Sequence, residues 1–276
     1  MKIFVVGLGP GSLEDMTIRA YRALKQSDVI TGYTVYIDLI KERFEEKEFV
    51  STPMRKEEQR CILAIEEAKK GKTVSLVCSG DAGVYGMAGL LYQIAQDYKD
   101  IEVEVVPGVT AACSGAAVLG APLGHDFAII SLSDLLTPWP QIEKRLAAAA
   151  SADFAICLYN PSSKNRADYL QKACDIILDF QPPELICGAA RNIGREGESY
   201  QIMSLSQLRN TKVDMYTTVF IGNSNTCLLY TSSGGVDAFV RRKDKLYYYY
   251  DAEGDVAAAS LRRRYYGRKL GFLRCT

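Results

Sequence analysis

Three short glycine-rich segments each follow an apolar run: GLGPGS at 7–12 after IFVV, SGDAGVYG at 79–86 after VSLVC, and PGVTAA at 107–112 after EVEVV. Open α/β sheets bind ligands outside the carboxyl ends of their strands, so three such loops would face one crevice. One loop alone says little, because glycine also serves ordinary turns. Gly7 and Gly9 have the spacing of a dinucleotide fingerprint, but Ser12 stands where the third glycine belongs and Pro10 lies inside the loop. Proline lacks the amide a pyrophosphate would use and fixes its own φ. No Gly-Lys-Ser/Thr follows, which excludes a P-loop. The pattern suits a small ligand without phosphates, such as an adenosine with an amino-acid tail. Asp81, between Gly80 and Ala82, has the chemistry to take a hydroxyl or an ammonium group; aspartate there equally serves the turn itself.

His125 is the chain's single histidine and lies in a connector at 120–126. Imidazole ordinarily titrates near neutrality, so His125 is an acid–base candidate beside a plain structural role. Lys164, Arg166, Arg191 and Arg195 follow later apolar runs, and Arg55 and Lys56 come earlier. Arginine grips carboxylates with a planar fork, whereas the bland alternative is a solvated face. Arg191 and Arg195, bracketing a glycine, are the pair expected to meet an anionic substrate. Asn160 begins an NPSS turn directly after an apolar run and is open to either a ligand or a turn role. Eight scattered cysteines without a CxxC pair read as buried reduced thiols, and with one histidine no metal centre is expected.

The elements that would carry these residues alternate between short apolar strands and helical patterns, the signature of α/β architecture. Strands are expected at 3–6, 28–30, 102–106, 127–132, 154–159, 185–189, 199–205 and 217–221, with one more opening KTVSLVCSGDAGVYG (72–86) before its glycine loop. Between the early ones, Ser12 or Asp15 caps a helix with Ile18, Tyr21 and Leu24 on one face, and 57–70 forms a helix carrying Ile62, Ile65 and Ala68. Two α/β domains follow, 1–122 with the glycine loops and 123–225 with the later basic loops. Basic and acidic residues balance at 33 each, so no overall field recruits nucleic acid or an anionic membrane. No apolar stretch has the length of a membrane span and no signal-peptide layout is present, which points to a cytosolic protein. Residues 226–276 break the alternation with a four-tyrosine run and a triple arginine. They read either as a docking extension or as a non-native C-terminus, since CLLYTS at 227–232 matches one frame of a transposase mosaic end.

Taken together, GLGPGS, SGDAGVYG and VVPGVTAA (105–112) resemble the tetrapyrrole methylase superfamily, S-adenosylmethionine-dependent enzymes outside the Rossmann-type methyltransferase fold. In the second half, GAPLGHDFAIISLSDLLTPW (120–139), LYNPSSKNR (158–166) and ARNIGREGE (190–198) resemble the branch that methylates carbon 17 of precorrin-3B in cobalamin biosynthesis. The resemblance covers about residues 1–225. It implies two α/β domains with an interdomain cofactor cleft and a homodimer. It further implies S-adenosylmethionine bordered by Pro10, Gly11, Gly80, Asp81, Thr110 and Ala111, with Tyr159, Ala190 and Thr217 from the second domain. Asn160, Lys164, Arg191 and Arg195 would meet the tetrapyrrole carboxylates, and His125 would move a proton during ring contraction. Other precorrin C-methyltransferases are the alternative within the family; a nucleotide-dependent oxidoreductase or sensor is the alternative outside it.

Overall fold

The computed structural model describes residues 1–163, 166–230 and 236–241, with three two-residue strands at 249–250, 256–257 and 274–275. The chain divides into two compact units, Met1–Gly115 with Asn192–Glu198, and Ala116–Arg191 with Ser199–Thr276. The expected boundary at 122/123 therefore lies some residues late. The loop 192–198, expected in the second domain, belongs to the first unit.

The first unit is built on β1 (Lys2–Gly7), β2 (Val29–Tyr33), β3 (Glu48–Thr52), β4 (Val74–Cys78) and β5 (Glu102–Val106). They form one sheet in the order β3-β2-β4-β1-β5. Every pairing in it is parallel. Parallel sheets are covered on both faces, so their strands read as unbroken apolar runs. Ile3 and Val5 pack on the side of α3 (Glu57–Lys69) and α4 (Ala88–Ala95). Phe4 and Val6 pack on the side of α1 (Ile18–Gln26) and α2 (Thr34–Asp38).

Two helix faces differ from expectation. In α1 the buried residues are Ala20, Ala23 and Leu24, while Ile18 and Tyr21 are exposed. Its N-cap is Thr17, whose hydroxyl accepts from the Ala20 amide; Ser12 and Asp15 instead bond each other in the preceding turn. In α3 Ile62 is exposed, and its place in the buried face is taken by Arg60. The Arg60 guanidinium donates to the Thr52 hydroxyl and the Pro53 carbonyl. A cation this deeply buried is tolerated because those bonds hold it.

The second unit carries the C-terminal end of α5 (Ala111–Leu119), β6 (Gly120–Ala121), β7 (Phe127–Ser131), α6 (Trp139–Ser151), β8 (Ala155–Tyr159) and α7 (Tyr169–Leu178). It continues with β9 (Ile186–Arg191), β10 (Ser199–Ser204), α8 (Leu205–Arg209) and β11 (Thr217–Ile221). Its main sheet has the order β10-β9-β11-β8-β7. β7 and β8 are parallel, whereas β11 runs antiparallel to both β8 and β9. Ile142 and Leu146 of α6 and Ala173 and Ile177 of α7 bury one face of this sheet. Beyond it, β12 (Thr226–Tyr230) pairs with β13 (Val236–Arg241), which lies parallel to β6. Most of the atypical tail, including its four-tyrosine run apart from 249–250, lies outside the described residues.

Among the described residues the thiols of Cys61, Cys78, Cys157, Cys174, Cys187 and Cys227 are buried, and Cys113 is exposed. Burial pushes the thiols of Cys61 and Cys174 up to about 12 and that of Cys78 to about 11. A thiol that does not ionise does not react. Near neutral pH an aromatic disulfide reagent is expected to label Cys113 in the folded protein, and the six buried thiols only on unfolding. Peptide mapping of the labelled chain reads this directly.

Candidate functional site

All strands of the first sheet run the same way, so the three glycine loops emerge from one edge. There they are bound to each other. Gly9 and Gly80 exchange backbone hydrogen bonds of 3.0 and 2.8 Å, and the Leu8 amide donates to the Cys78 carbonyl. A Cβ on Gly108 would sit 2.1 Å from the Gly80 carbonyl oxygen, and one on Gly7 would sit 2.7 Å from both that oxygen and the Gly108 nitrogen. These glycines are required by contact between loops. Gly9 and Gly80 also adopt φ of 79° and 66°, conformations that favour glycine.

Asp81 ties the second loop to the third. Its Oδ1 accepts from the amides of Gly83 (2.8 Å) and Val84 (3.2 Å), and its Oδ2 accepts from Gly108 (3.0 Å). Turn chemistry, open at the level of sequence, is thus what the carboxylate performs. Thr110 starts α5, its carbonyl accepting from Cys113 and Ser114, and its Cα lies 3.6 Å from where a Gly80 Cβ would be. Pro10, Gly11, Gly80, Asp81, Thr110 and Ala111 are accordingly assembled at one edge. The amides of Leu8, Gly9, Gly80, Gly83, Val84 and Gly108 all donate within the protein, and Pro10 has none. A phosphate needs amides unspent, and these six are not.

Arg195 belongs to the first unit. Its Nε donates to the Pro10 carbonyl (2.9 Å) and its Nη2 to the Ser79 hydroxyl (2.8 Å). The guanidinium lies 6.0 Å from the ring centre of Tyr36, whose phenol is pushed up by burial against the opposing pull of Arg195. Arg195 is thus bonded to the first and second glycine loops. Neither Ser79 nor Tyr36 was singled out by sequence. Ser79 opens the SGDAGVYG segment but its partner Arg195 is remote in the chain, and Tyr36 lies in no marked segment.

In the second unit, Tyr159, Asn160, Ala190, Arg191 and Thr217 share one end of the main sheet, where Thr217 pairs with Arg191 and Ser131 with Tyr159. Asn160 has φ of 52° and donates to the Ser131 hydroxyl (2.9 Å). Ala190 is fully buried within the sheet. Lys164 lies outside the described residues. His125 lies apart from these residues within the sheet. It precedes β7, at the other end of the sheet, with Nδ1 3.0 Å from Asp126 Oδ2, in a shallow pocket with Asp153, Phe154, Asn223 and Asn225.

Asp214, missed by sequence, ties Arg191 to Thr217 at this end of the sheet: it accepts from Arg191 Nε (2.7 Å) and from the Thr217 hydroxyl (2.9 Å). Burial works to raise its pKa, but the bonds from Arg191, Thr217 and the Tyr216 amide prevail and lower it. A carboxyl depressed in the folded state stabilises above the ordinary aspartate value of about 4 and loses that contribution as pH falls through its folded value. Urea midpoints of the native chain and Asp214→Asn should therefore differ at neutral pH and converge in acid; a constant gap would remove Asp214 from this role. Among the described residues no three His, Cys, Asp or Glu side chains are placed to hold a metal, and no helix is long and apolar enough to cross a membrane.

The family described as Tetrapyrrole (Corrin/Porphyrin) Methylases matches residues 2–209. A probable cobalt-factor III C(17)-methyltransferase of Salmonella typhimurium is 44% identical over 223 residues, covering 80% of this chain and 92% of the relative. A precorrin-3B C(17)-methyltransferase of Sinorhizobium sp is 38% identical, covering 81% and 89%. Some relatives are longer: the chain spans 43% of the cobalt-factor III methyltransferase of Priestia megaterium. The crystal structure of the methyltransferase CobJ superposes with a TM-score of 0.74 at 35% identity, covering 81% of this chain and 95% of that one.

Proposed function

Because the chain belongs to the tetrapyrrole (corrin/porphyrin) methylase family, we propose that it methylates carbon 17 of a precorrin-3-type tetrapyrrole in cobalamin biosynthesis. S-adenosylmethionine would supply the methyl group, and ring contraction would accompany the transfer. The observation that carries the cofactor assignment is the assembly of the three glycine loops at one edge, where Pro10 has no amide and those of Gly9, Gly80 and Gly108 donate within the protein, which favours a ligand without phosphate. Pro10, Gly11, Gly80, Asp81, Thr110 and Ala111 would border it; Tyr159, Ala190 and Thr217 are further contacts supported by the family resemblance. Methyl transfer from a sulfonium is an in-line displacement, so the protein's task is to fix distance and alignment. Loops tied backbone to backbone are suited to that task. Asn160, Lys164 and Arg191 would meet the tetrapyrrole carboxylates, Arg191 with its orientation set by Asp214.

Identity of 44% to a relative named for cobalt-factor III, against 38% to one named for precorrin-3B, favours the cobalt-containing substrate, whose metal arrives with the ring. A cytosolic homodimer is proposed on the family resemblance, and light scattering of the purified chain tests the assembly. Calorimetry with S-adenosylmethionine, S-adenosylhomocysteine and NAD comes first: binding of the two sulfur ligands is expected, and binding of NAD alone would favour a nucleotide-dependent oxidoreductase. Product mass and methyl position with each tetrapyrrole form then separate carbon 17 from another ring position. His125→Ala is expected to leave cofactor affinity and ring contraction unchanged, because the imidazole sits at the far end of its sheet. Loss of contraction alone in that variant would restore it as the acid–base residue.

A further inference from the structure

We propose that Arg195 is a positioning residue for the cofactor loops, a clamp delivered from residues 192–198 that joins Pro10 to Ser79 with its guanidinium over Tyr36. The inference rests on the reading of those loops as the S-adenosylmethionine site. Pro10 has no amide, so its carbonyl is the one backbone handle by which the loop can be held there. Arg195 takes that handle with Nε and reaches the second loop with Nη2. Two donors pointing in fixed directions from one plane are what a lysine lacks.

Each side of this contact is shaped to the other. A Cβ on Gly11 would lie 2.5 Å from Arg195 Cγ, so the arginine stem crosses Gly11 where a side chain would stand. A Cβ on Gly194 would lie 3.0 Å from Pro10 Cγ, so the segment approaches the proline ring equally closely. The segment is itself braced. The Arg195 amide donates to the Asn192 carbonyl, and the Gly194 amide donates to Glu198 Oε2 at 2.6 Å. Asn192, Gly194 and Gly197 hold φ of 51°, 67° and 74°. Among the described residues no carboxylate is ion-paired with Arg195, so its donors serve the loops.

The test is S-adenosylhomocysteine and tetrapyrrole affinity measured separately for the native chain, Arg195→Lys and Arg195→Gln. The glutamine variant should bind S-adenosylhomocysteine about tenfold more weakly or worse, the scale of one lost charge-assisted hydrogen bond. The lysine variant should fall between, and tetrapyrrole affinity should be unchanged in both. The lysine variant keeps charge and stem, so it remains informative if the glutamine variant fails to fold. Native-like cofactor binding by both variants overturns the clamp. So does loss of tetrapyrrole affinity alone, which would return Arg195 to the substrate carboxylates. Failure of the native chain to bind S-adenosylhomocysteine overturns instead the reading beneath.

Discussion

Gly108→Ala is expected to unseat all three glycine loops at once. The added methyl would lie 2.1 Å from the Gly80 carbonyl oxygen and 2.6 Å from the carbonyl carbon and oxygen of Gly7. All three obstacles are backbone atoms, so no side-chain rotation relieves the clash. The Gly80 loop cannot retreat without breaking its paired bonds to Gly9, and Gly7 is held as the last residue of β1, paired with Cys78. Overpacking typically costs about 1–3 kcal/mol where side chains can adjust, and a backbone clash belongs at or above the top of that range. The urea midpoint should fall accordingly, and S-adenosylhomocysteine affinity should fall with it. Gly89→Ala is the matched control, since a Cβ there meets nothing within 4 Å and sits in α4. A Gly108→Ala chain as stable as the control would show that the loops are not packed this tightly.

Much of the scaffold was legible because parallel strands buried on both faces spell apolar runs; β5 and β11 have the expected bounds. β3, Glu48–Thr52, was not recognised: it is an edge strand whose residues are mostly half-buried or exposed, so no apolar run marks it. Helix faces failed where residue type and position disagree. Ile18 is apolar and exposed, and Arg60 is charged and buried, because tertiary bonds decide both. The glycine loops were visible as a set, but not their reason. Gly7, Gly80 and Gly108 are far apart in the chain, and only folding sets the Gly80 carbonyl against a side chain at Gly7 or Gly108, and these two against each other. Arg195 shows the same limit more sharply. Its spacing from Arg191 suggested a carboxylate-binding pair, yet its partners are Pro10, 185 positions away, and Ser79.

Asp81→Asn separates two functions that the carboxylate combines. One oxygen closes the turn through Gly83 and Val84, and the other reaches across to the Gly108 amide. An asparagine can keep the first pair of bonds with its amide oxygen, but its NH₂ then faces the Gly108 N–H, donor against donor. An amide left without its acceptor in a part-buried position costs about 1–3 kcal/mol. Amide exchange should therefore accelerate at Gly108 in Asp81→Asn while Gly83 and Val84 stay protected; Asp81→Ala should lose protection at all three. S-adenosylhomocysteine affinity should fall in the same order, Asn less than Ala, because loop position sets it. Were the carboxylate instead a direct contact to the ligand's ammonium, both variants would lose affinity alike while Gly108 stayed protected in Asn. That pattern would move Asp81 from the framework of the site to its surface.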